Sequence, residues 1–352
     1  MMVSYNSKNK RKLLIAIIIG IILTLSMFIT CICVGPTDVL SPKEALSAAF
    51  SAIGKGGEGL TYEEVLVYSS RLPRTIMALV IGIGLSIAGV VYQAIIRNPL
   101  VDPYIMGVSS GAGTAAIAVI AFDFTFFGLF SENSMFLTAV CAMVGGLIAF
   151  AITMLLAEKA GGTSTNYVLA GVVVGLVFSA IQSIMLTTAS NDVGNSLSWI
   201  YGSFANVVWE QIPVVFFPVL AMALSTLLWA KEFNLVLLGE DQAKQMGLNV
   251  VWFNRFMLIL ASVLTSLCVA FVGIIGFVGL VIPHLCRMIL GGDHRLVMPV
   301  SLVFGGFLLM FADLLSRMLW PGIELPVGAI TTLIGIPVFA WLLIRRGKMY
   351  DG

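Results

Sequence analysis

The chain has 352 residues, of which 59% are hydrophobic and 11% are charged, and its mean hydropathy is +1.04. A soluble domain of ordinary composition carries about 25% charged residues, so this composition excludes one and indicates a polytopic membrane protein. The formal net charge of +1 argues against nucleic acid as a partner.

The apolar runs are long enough for about ten membrane-spanning helices, because each crossing needs about 20 apolar residues. The sequence predicts an all-α bundle with spans at 13–34, 72–96, 104–122, 135–157, 167–189, 211–230, 254–272, 273–290, 296–319 and 325–344. Residues 13–344 then form a single transmembrane domain between tails at 1–12 and 345–352. The first run is too long for a signal peptide, so it is interpreted as a retained span.

The basic residues are distributed unequally between the two sides of the predicted bundle. If the N-terminus is inside, 14 of the 19 Lys and Arg residues lie in inner segments. Since cytoplasmic loops are enriched in Lys and Arg, both termini are predicted to be cytoplasmic, in a cell membrane. The five outer residues are Lys43, Lys55, Arg71, Arg74 and Arg317.

Three arginines lie at predicted outer ends of helices, although Lys and Arg are otherwise concentrated in the inner segments. Arg71 and Arg74 flank Pro73, which suits the first turn of a helix, so both charges face the positive end of the helix dipole at a cost of about 0.3–1 kcal/mol each. An anionic partner is therefore expected. For either helix mouth viewed alone, interfacial snorkelling of the side chains explains the arginines as well as a functional role does. Asp313 also offers Arg317 an intrahelical ion pair. Three arginines at two mouths favour a docking surface.

Glycine spacing predicts close helix packing and one chain reversal. Two glycine pairs four residues apart, at positions 107 and 111 and at 171 and 175, have the spacing of closely packed membrane helices. Gly273, Gly276 and Gly279 bracket an expected reversal near residues 272–276, between the seventh and eighth spans. The five cysteines show no metal-ligand spacing and are interpreted as packing residues.

The sequence contains no P-loop, since the glycine-rich segment 54–59 lacks the required hydroxyl and frame. The chain is therefore not expected to hydrolyse ATP or to hold a cofactor or metal. Two other classes remain open. An ion-coupled secondary transporter needs a midplane carboxylate or a broken-helix ion site. An intramembrane enzyme needs a nucleophile and a base, and no sequence motif joins His284 to a nucleophile.

One inner segment predicts a short helix. Glu240 and Asp241 open it, Gly247 closes it, and the spacing of Ala243 and Met246 places both on one face. So short a helix is marginal alone and needs a partner surface. An interfacial helix lying on the membrane ranks second, because the polar face is not rich in Lys or Arg.

A second inner segment, residues 161–166, places Ser164 and Thr165 where the fifth span begins. Local sequence favours a helix N-cap. A flexible constriction at the inner end of a pore is the functional alternative, and the two interpretations are compatible.

Taken together, these segments resemble the FecCD family, the permease subunits of ATP-binding-cassette (ABC) importers for iron-siderophores, haem and cobalamin, which includes the cobalamin permease BtuC. The matching stretches occur in family order. They are residues 71–75, 89–93, 97–100, 102–103, 107–112, 169–171, 277–284, 293–295, 324–328 and 335–337.

The resemblance implies a ten-span, BtuC-like permease that dimerises around a translocation path. It implies two cytoplasmic ATPase subunits, which carry ATP and Mg²⁺, and an extracytoplasmic solute-binding protein. Its cargo is expected to be a metal chelate, with a ferric siderophore favoured over cobalamin, haem or a molybdate-type oxyanion. The functional residues follow from the same match. They are Arg71, Arg74 and Arg317 for binding-protein docking; Gly239, Glu240, Asp241, Ala243, Met246 and Gly247, in the loop 231–253, for ATPase coupling; and Ser164 and Thr165 for the cytoplasmic gate.

Overall fold

The computed structural model describes residues 7–36, 38–122, 135–189, 193–320 and 322–350. Within these residues the chain forms α-helices and no β-strand. The helices are α1 (Ser7–Cys33), α2 (Pro42–Gly54), α3 (Tyr62–Val65), α4 (Leu72–Ile95), α5 (Val108–Phe122), α6 (Met135–Lys159), α7 (Ser164–Thr188), α8 (Val193–Ile200), α9 (Gln211–Leu227), α10 (Ala230–Leu237), α11 (Glu240–Gln245), α12 (Val250–Val272), α13 (Val278–Leu290), α14 (His294–Met318) and α15 (Val327–Tyr350).

Each of the ten predicted spans coincides with a helix. Among the described residues, 6 helices are long and apolar enough to cross a membrane, and the pair α9 and α10, bent by 53°, raises this to as many as 7. The other three predicted spans correspond to shorter apolar helices, Val108–Phe122, Val278–Leu290 and Val327–Ala340. The all-α, multi-span architecture is therefore as predicted.

The helix ends differ from the predicted span ends. α1 begins at Ser7, inside the predicted tail 1–12, and α15 continues to Tyr350, inside the predicted tail 345–352. Residues 1–6 and 351–352 of those tails lie outside the described part of the chain. Lys and Arg are good helix formers, so polar flanks extend a helix beyond its apolar run. Similarly, α3 passes through a π-helical turn, Leu66–Arg71, directly into α4.

α4 is the central helix of the bundle, and all of its residues except Ile76 and Leu79 are buried. It packs against α9, α12, α13 and α14. Glycine permits the closest of these approaches, since a Cβ on Gly89 would lie 1.8 Å from the carbonyl oxygen of Gly279 in α13 and one on Gly82 would lie 2.3 Å from that of Gly305 in α14. The predicted pairs contribute as well. A Cβ on Gly111 would lie 2.4 Å from the carbonyl oxygen of Gly145, and one on Gly171 would lie 1.8 Å from that of Ile105.

The long apolar stretch of the seventh and eighth predicted spans is interrupted where expected. α12 ends at Val272, and Gly273 takes the left-handed region with φ +75°. A Cβ at this position would lie 1.9 Å from the carbonyl oxygen of Trp199, so glycine is required both for the turn and for the contact.

The glycine-rich segment 54–59, for which the sequence suggests no role, closes a small hairpin between α2 and α3. Lys55 Nζ lies 2.7 Å from a carboxylate oxygen of Glu64, across the turn. α2 starts with a capping box, in which the Ser41 N–H donates to the Glu44 carboxylate at 2.8 Å. That hydrogen bond lowers the pKa of Glu44. The hairpin packs its alanine-rich face on the end of α1.

Candidate functional sites at the two ends of the bundle

Arg74, in the first turn of α4, lies in a cluster of side chains from the end of α14 and the segment before α15. Its Nε donates to Asp313 Oδ1 at 2.7 Å, and its Nη1 donates to the two carboxylate oxygens of Glu324 at 2.8 and 2.9 Å. Its Nη2 lies 3.4 Å from Ser316 Oγ. Asp313 is fully buried, whereas the Glu324 side chain is 41% exposed. Since α3 and the π-helical turn run directly into α4, Arg74 lies inside a continuous helix, and the predicted position at a free helix start is wrong. The two carboxylates instead compensate the buried guanidinium charge.

The other two arginines bind the C-terminal end of α1. Arg71 Nη1 donates to the carbonyl oxygens of Ile32 at 3.0 Å and Cys33 at 2.8 Å. Arg317 Nη2 donates to the carbonyl oxygen of Cys31 at 2.9 Å. The last carbonyls of a helix have no intrahelical partner and carry its partial negative charge, so both guanidinium groups act as caps of α1.

The anionic partners expected from the sequence are thus found within the chain. Arg317 Nε also lies 3.8 Å from Asp313 Oδ2, which is a charge contact rather than a hydrogen bond. The intrahelical ion pair considered for Arg317 is therefore present. Arg71, Arg74 and Arg317 are only 3%, 5% and 3% exposed. The structure does not present them as a free basic surface, and their docking role stays a prediction. We call the end of the bundle that holds Arg71, Arg74 and Arg317 the arginine end.

The opposite ends of α4 and α14 lie beside α10, which directly precedes the short helix predicted at residues 239–247. α11 spans Glu240–Gln245, between Gly239 at φ +117° and Gly247 at φ +89°. Glu240 and Asp241 are exposed in its first turn, and Lys244 Nζ lies 4.0 Å from Glu240. Both glycines take a left-handed backbone that other residues rarely adopt, so they set the two ends of the helix.

The predicted shared face of Ala243 and Met246 is wrong. Ala243 is fully buried against its own chain, whereas Met246 is 62% exposed. The helix ends at Gln245, and the Leu248 N–H returns to the carbonyl oxygen of Ala243 at 3.0 Å. Since Met246 follows the helix, helical periodicity does not govern its direction. Of this pair, only Met246 is accessible to a partner.

α11 is connected to the core through α10. Asn234 Nδ2 donates to Asp293 Oδ1 at 2.7 Å, and the His294 N–H donates to Asn234 Oδ1 at 2.9 Å. Arg97, just beyond α4, donates to the carbonyl oxygen of Val236 at 3.2 Å. α10 is therefore hydrogen-bonded both to the start of α14 and to the segment after α4.

The hydroxyl-rich segment 161–166 forms a helix cap. The Asn166 N–H donates to the side-chain oxygen of Thr163 at 3.3 Å, and Asn166 Nδ2 donates to the carbonyl oxygen of Ala160 at 2.7 Å. The cap interpretation is confirmed, with Thr163 as the N-cap residue. Ser164 is half-buried and Thr165 is exposed in the first turn of α7. Their role as a gate stays a prediction.

An ion pair joins the neighbourhoods of these two segments. Arg255 Nε donates to Glu158 Oε1 at 2.7 Å, and Arg255 Nη2 donates to Glu158 Oε2 at 3.0 Å. The pair borders a cavity of about 350 Å³. The cavity is lined by Glu158, Gly161, Gly162, Tyr167, Glu240, Val250, Val251, Asn254 and Arg255. We call the end of the bundle that holds α11, the segment 161–166 and this cavity the loop end.

Sequence reasoning assigned no role to the polar residues that connect the loop end. Arg97 and Asp293 fall inside the matched stretches 97–100 and 293–295, so the family pattern pointed to their positions. Asn234, Glu158 and Arg255 belong to no motif, and their contacts span 59 and 97 residues of chain. No group of three or more His, Cys, Asp or Glu side chains that could hold a metal ion occurs among the described residues.

The fold is that of an ABC permease with multiple membrane spans. A solved structure described as an inward-facing conformation of a metal-chelate type ABC transporter matches with a TM-score of 0.79 and 27% sequence identity, over 94% of this chain and 98% of that chain.

The chain belongs to the FecCD transport family, whose model matches residues 6–345. It is 37% identical over 309 residues to the cobalamin import permease of Halobacterium salinarum, covering 87% of this chain and 80% of that one. It is 34% identical over 283 residues to the hemin transport permease of Yersinia pestis, covering 80% and 84%. It is also 36% identical over 295 residues to a vitamin B12 import permease of Escherichia coli, covering 81% and 85%. It is thus an ABC importer permease, so ATPase and substrate-binding partners are expected.

Proposed function

We propose that this permease moves a metal chelate, a ferric siderophore, into the cytoplasm by alternating access. Two partner ATPases, which carry ATP and Mg²⁺, drive the change, and the permease contributes conformations rather than chemistry. The observation that carries this proposal is α11, an exposed six-residue helix held to the core through α10.

α11 fits the role of the ATPase contact. Glu240, Asp241 and Met246 are exposed at the loop end, whereas Ala243 packs inward and fixes the helix to its own chain. A push on such a helix moves α10, since the two are consecutive. α10 in turn is hydrogen-bonded to the start of α14, through Asn234. Closure of the ATPases would therefore displace core helices.

Ser164 and Thr165 are proposed as the gate of this path. They follow Gly161 at φ +110° and Gly162 at φ +67°, two left-handed glycines that allow the segment to turn. Small hydroxyl side chains can close a constriction and still find water or backbone partners when it opens.

The metal-chelate class is supported by what the relatives carry. Cobalamin and hemin are both metal chelates, and the matched solved structure is described as a metal-chelate type transporter. A cavity of about 440 Å³ beside α5, α6, α8 and α12 is lined by apolar groups and by neutral polar groups such as Asn195, Ser198 and Asn206. Among the described residues this lining contains no charged side chain, which suits a path along which cargo must not bind tightly.

The proposed assembly contains a second copy of the chain, with both termini in the cytoplasm. The solute-binding protein would dock at the arginine end, where the Glu324 side chain is 41% exposed beside the buried Arg74. Mass measurement of the purified complex by light scattering tests the homodimer, and one-sided labelling of terminal tags in sealed vesicles tests the orientation.

The decisive experiment is uptake into vesicles that contain the chain, its ATPase and its binding protein. We expect ATP-dependent accumulation of labelled ferric siderophore, which is abolished when the P-loop lysine of the ATPase is replaced. Labelled cobalamin, haem and molybdate are tested in parallel. Accumulation of one of these alone would show that the cargo is not a siderophore, while the proposed ATP-driven mechanism would stand. Uptake that follows an ion gradient without ATP would instead reject the proposed mechanism in favour of a secondary transporter.

A further inference from the structure

The proposed ATPase contact and the proposed gate meet at one cavity. Glu240 of α11 and Gly161 and Gly162 of the gate segment line the same space of about 350 Å³ at the loop end. The two segments lie some 80 residues apart in the chain, so a mechanical connection between them must come from tertiary contacts. The contact found at this cavity is the ion pair of Glu158 and Arg255.

The position of each partner in its helix relates the pair to both segments. Glu158 is the penultimate residue of α6, three positions before Gly161. Arg255 lies in the second turn of α12, which starts a few residues after α11 ends at Gln245. α6 and α12 pack against each other. The pair thus joins the two helix ends from which the segments extend.

The geometry of the pair suits it to transmit a displacement. Two parallel hydrogen bonds of 2.7 and 3.0 Å hold the guanidinium and carboxylate planes in one relative orientation, which a single contact does not. The Arg255 and Glu158 side chains are 52% and 30% exposed. Pairs this exposed add little to folding stability, so removal of the pair should leave the bundle folded.

We infer that Glu158 and Arg255 are positioning residues that couple movement of α11 to the gate segment 161–166. This inference rests on the proposed function. When the ATPases displace α11 and the start of α12, Arg255 moves with α12 and carries the Glu158 carboxylate with it. The left-handed glycines at 161 and 162 then convert the shift at the end of α6 into a reorientation of the segment before α7.

The test measures whether ATP changes the accessibility of the gate segment. In the assembled complex with its ATPase, Thr165→Cys is labelled with a water-soluble maleimide, with and without ATP, and mass spectrometry locates the label. Coupling between sites typically corresponds to about 5- to 150-fold, so a change in labelling rate of at least about fivefold is expected. Glu158→Gln and Arg255→Gln should each reduce that ratio to near one, while ATPase binding and basal hydrolysis persist.

The double variant Glu158→Arg with Arg255→Glu restores a pair of opposite sign and should recover the response to ATP. Lys55→Gln is the matched control, since it breaks a partly exposed ion pair of 2.7 Å in the hairpin that packs on the far end of α1. It should leave the response unchanged.

The possible results distinguish failure of the positioning role from failure of the proposed gate. An unchanged ATP response in both single variants would overturn the positioning role. A folded double variant without recovery would overturn it as well. Loss of the response in the parent Thr165→Cys protein, with the ATPase bound and active, would overturn the proposed gate and this inference with it.

Discussion

Replacement of Asp313 by Asn tests whether the charge cluster at the arginine end stabilises the fold. The Asp313 carboxylate is fully buried, 2.7 Å from Arg74 Nε and 3.8 Å from Arg317 Nε. Asn has nearly the same shape and keeps an oxygen that can accept from Arg74. The change therefore removes the negative charge with little effect on packing, and leaves two guanidinium groups partly uncompensated.

The expected magnitude follows from burial. Removal of one partner of a buried ion pair costs about 3–5 kcal/mol, and the hydrogen bond that Asn retains returns about 0.5–1.5 kcal/mol. We expect a net loss of about 2–4 kcal/mol, which is roughly 30- to 700-fold in the folding equilibrium. Glu324→Gln is the matched control, because that side chain contacts the same Arg74 but is 41% exposed. Solvent screening should limit its cost to about 1 kcal/mol.

Thermal unfolding of the purified chain in detergent ranks the two variants. A loss of this size should lower the melting temperature by about 3–5 °C for Asp313→Asn, against about 1–2 °C for Glu324→Gln. In a double-mutant cycle, Arg74→Gln combined with Asp313→Asn should cost less than the sum of the two single changes. The reason is that each single change leaves the other partner as a buried charge, whereas the double change removes both charges. Equal shifts for Asp313→Asn and Glu324→Gln, or strict additivity in the cycle, would refute this reasoning.

Three further predictions concern local features. Met246→Cys should react readily with a water-soluble maleimide, whereas Ala243→Cys should stay unreactive, because the two positions are 62% and 0% exposed. Binding of the ATPase should protect Met246→Cys from the reagent. Equal reactivity of the two variants would contradict the fold of this segment. Gly82→Leu should abolish the yield of monodisperse protein, since its Cβ would lie 2.3 Å from a backbone oxygen of α14, while Gly54→Ala, with nothing within 4 Å, should not; gel filtration compares them. Thr163→Ala should cost about 1 kcal/mol at the start of α7, seen as faster hydrogen exchange in its first turn and not elsewhere in that helix.

The helices could be predicted from the sequence because bilayer thickness sets the length of an apolar run. The same signal fails at helix ends. Ser7 to Lys12 is a polar stretch and Tyr62 to Arg71 is a mixed one. Both continue a helix, and no apolar period marks them. The break after Val272 was predictable, since glycines cluster there.

The surroundings of the arginines were predictable only in part. Asp313 and Arg317 are four residues apart on one helix, so their ion pair can be expected from spacing alone. The partners of Arg74 lie 239 and 250 residues away, and those of Arg71 are backbone carbonyl oxygens at the end of α1. Carbonyl acceptors leave no trace in the residue types of a sequence. Charge counting therefore singled out these three arginines but could not distinguish internal partners from external ones.

The two ends of the bundle differ in what it would cost to rearrange them. At the arginine end, separation of α4 from α14 would break the buried ion pair of Arg74 and Asp313, and disruption of a buried pair is strongly destabilising. At the loop end, the Glu158 and Arg255 side chains are partly exposed, so a movement that carries them together as one pair strands no buried charge. Segments of low local stability are the ones that open first. An alternating-access cycle in this chain should therefore use the arginine end as its fixed point, with α11 and the segment 161–166 as the parts that move.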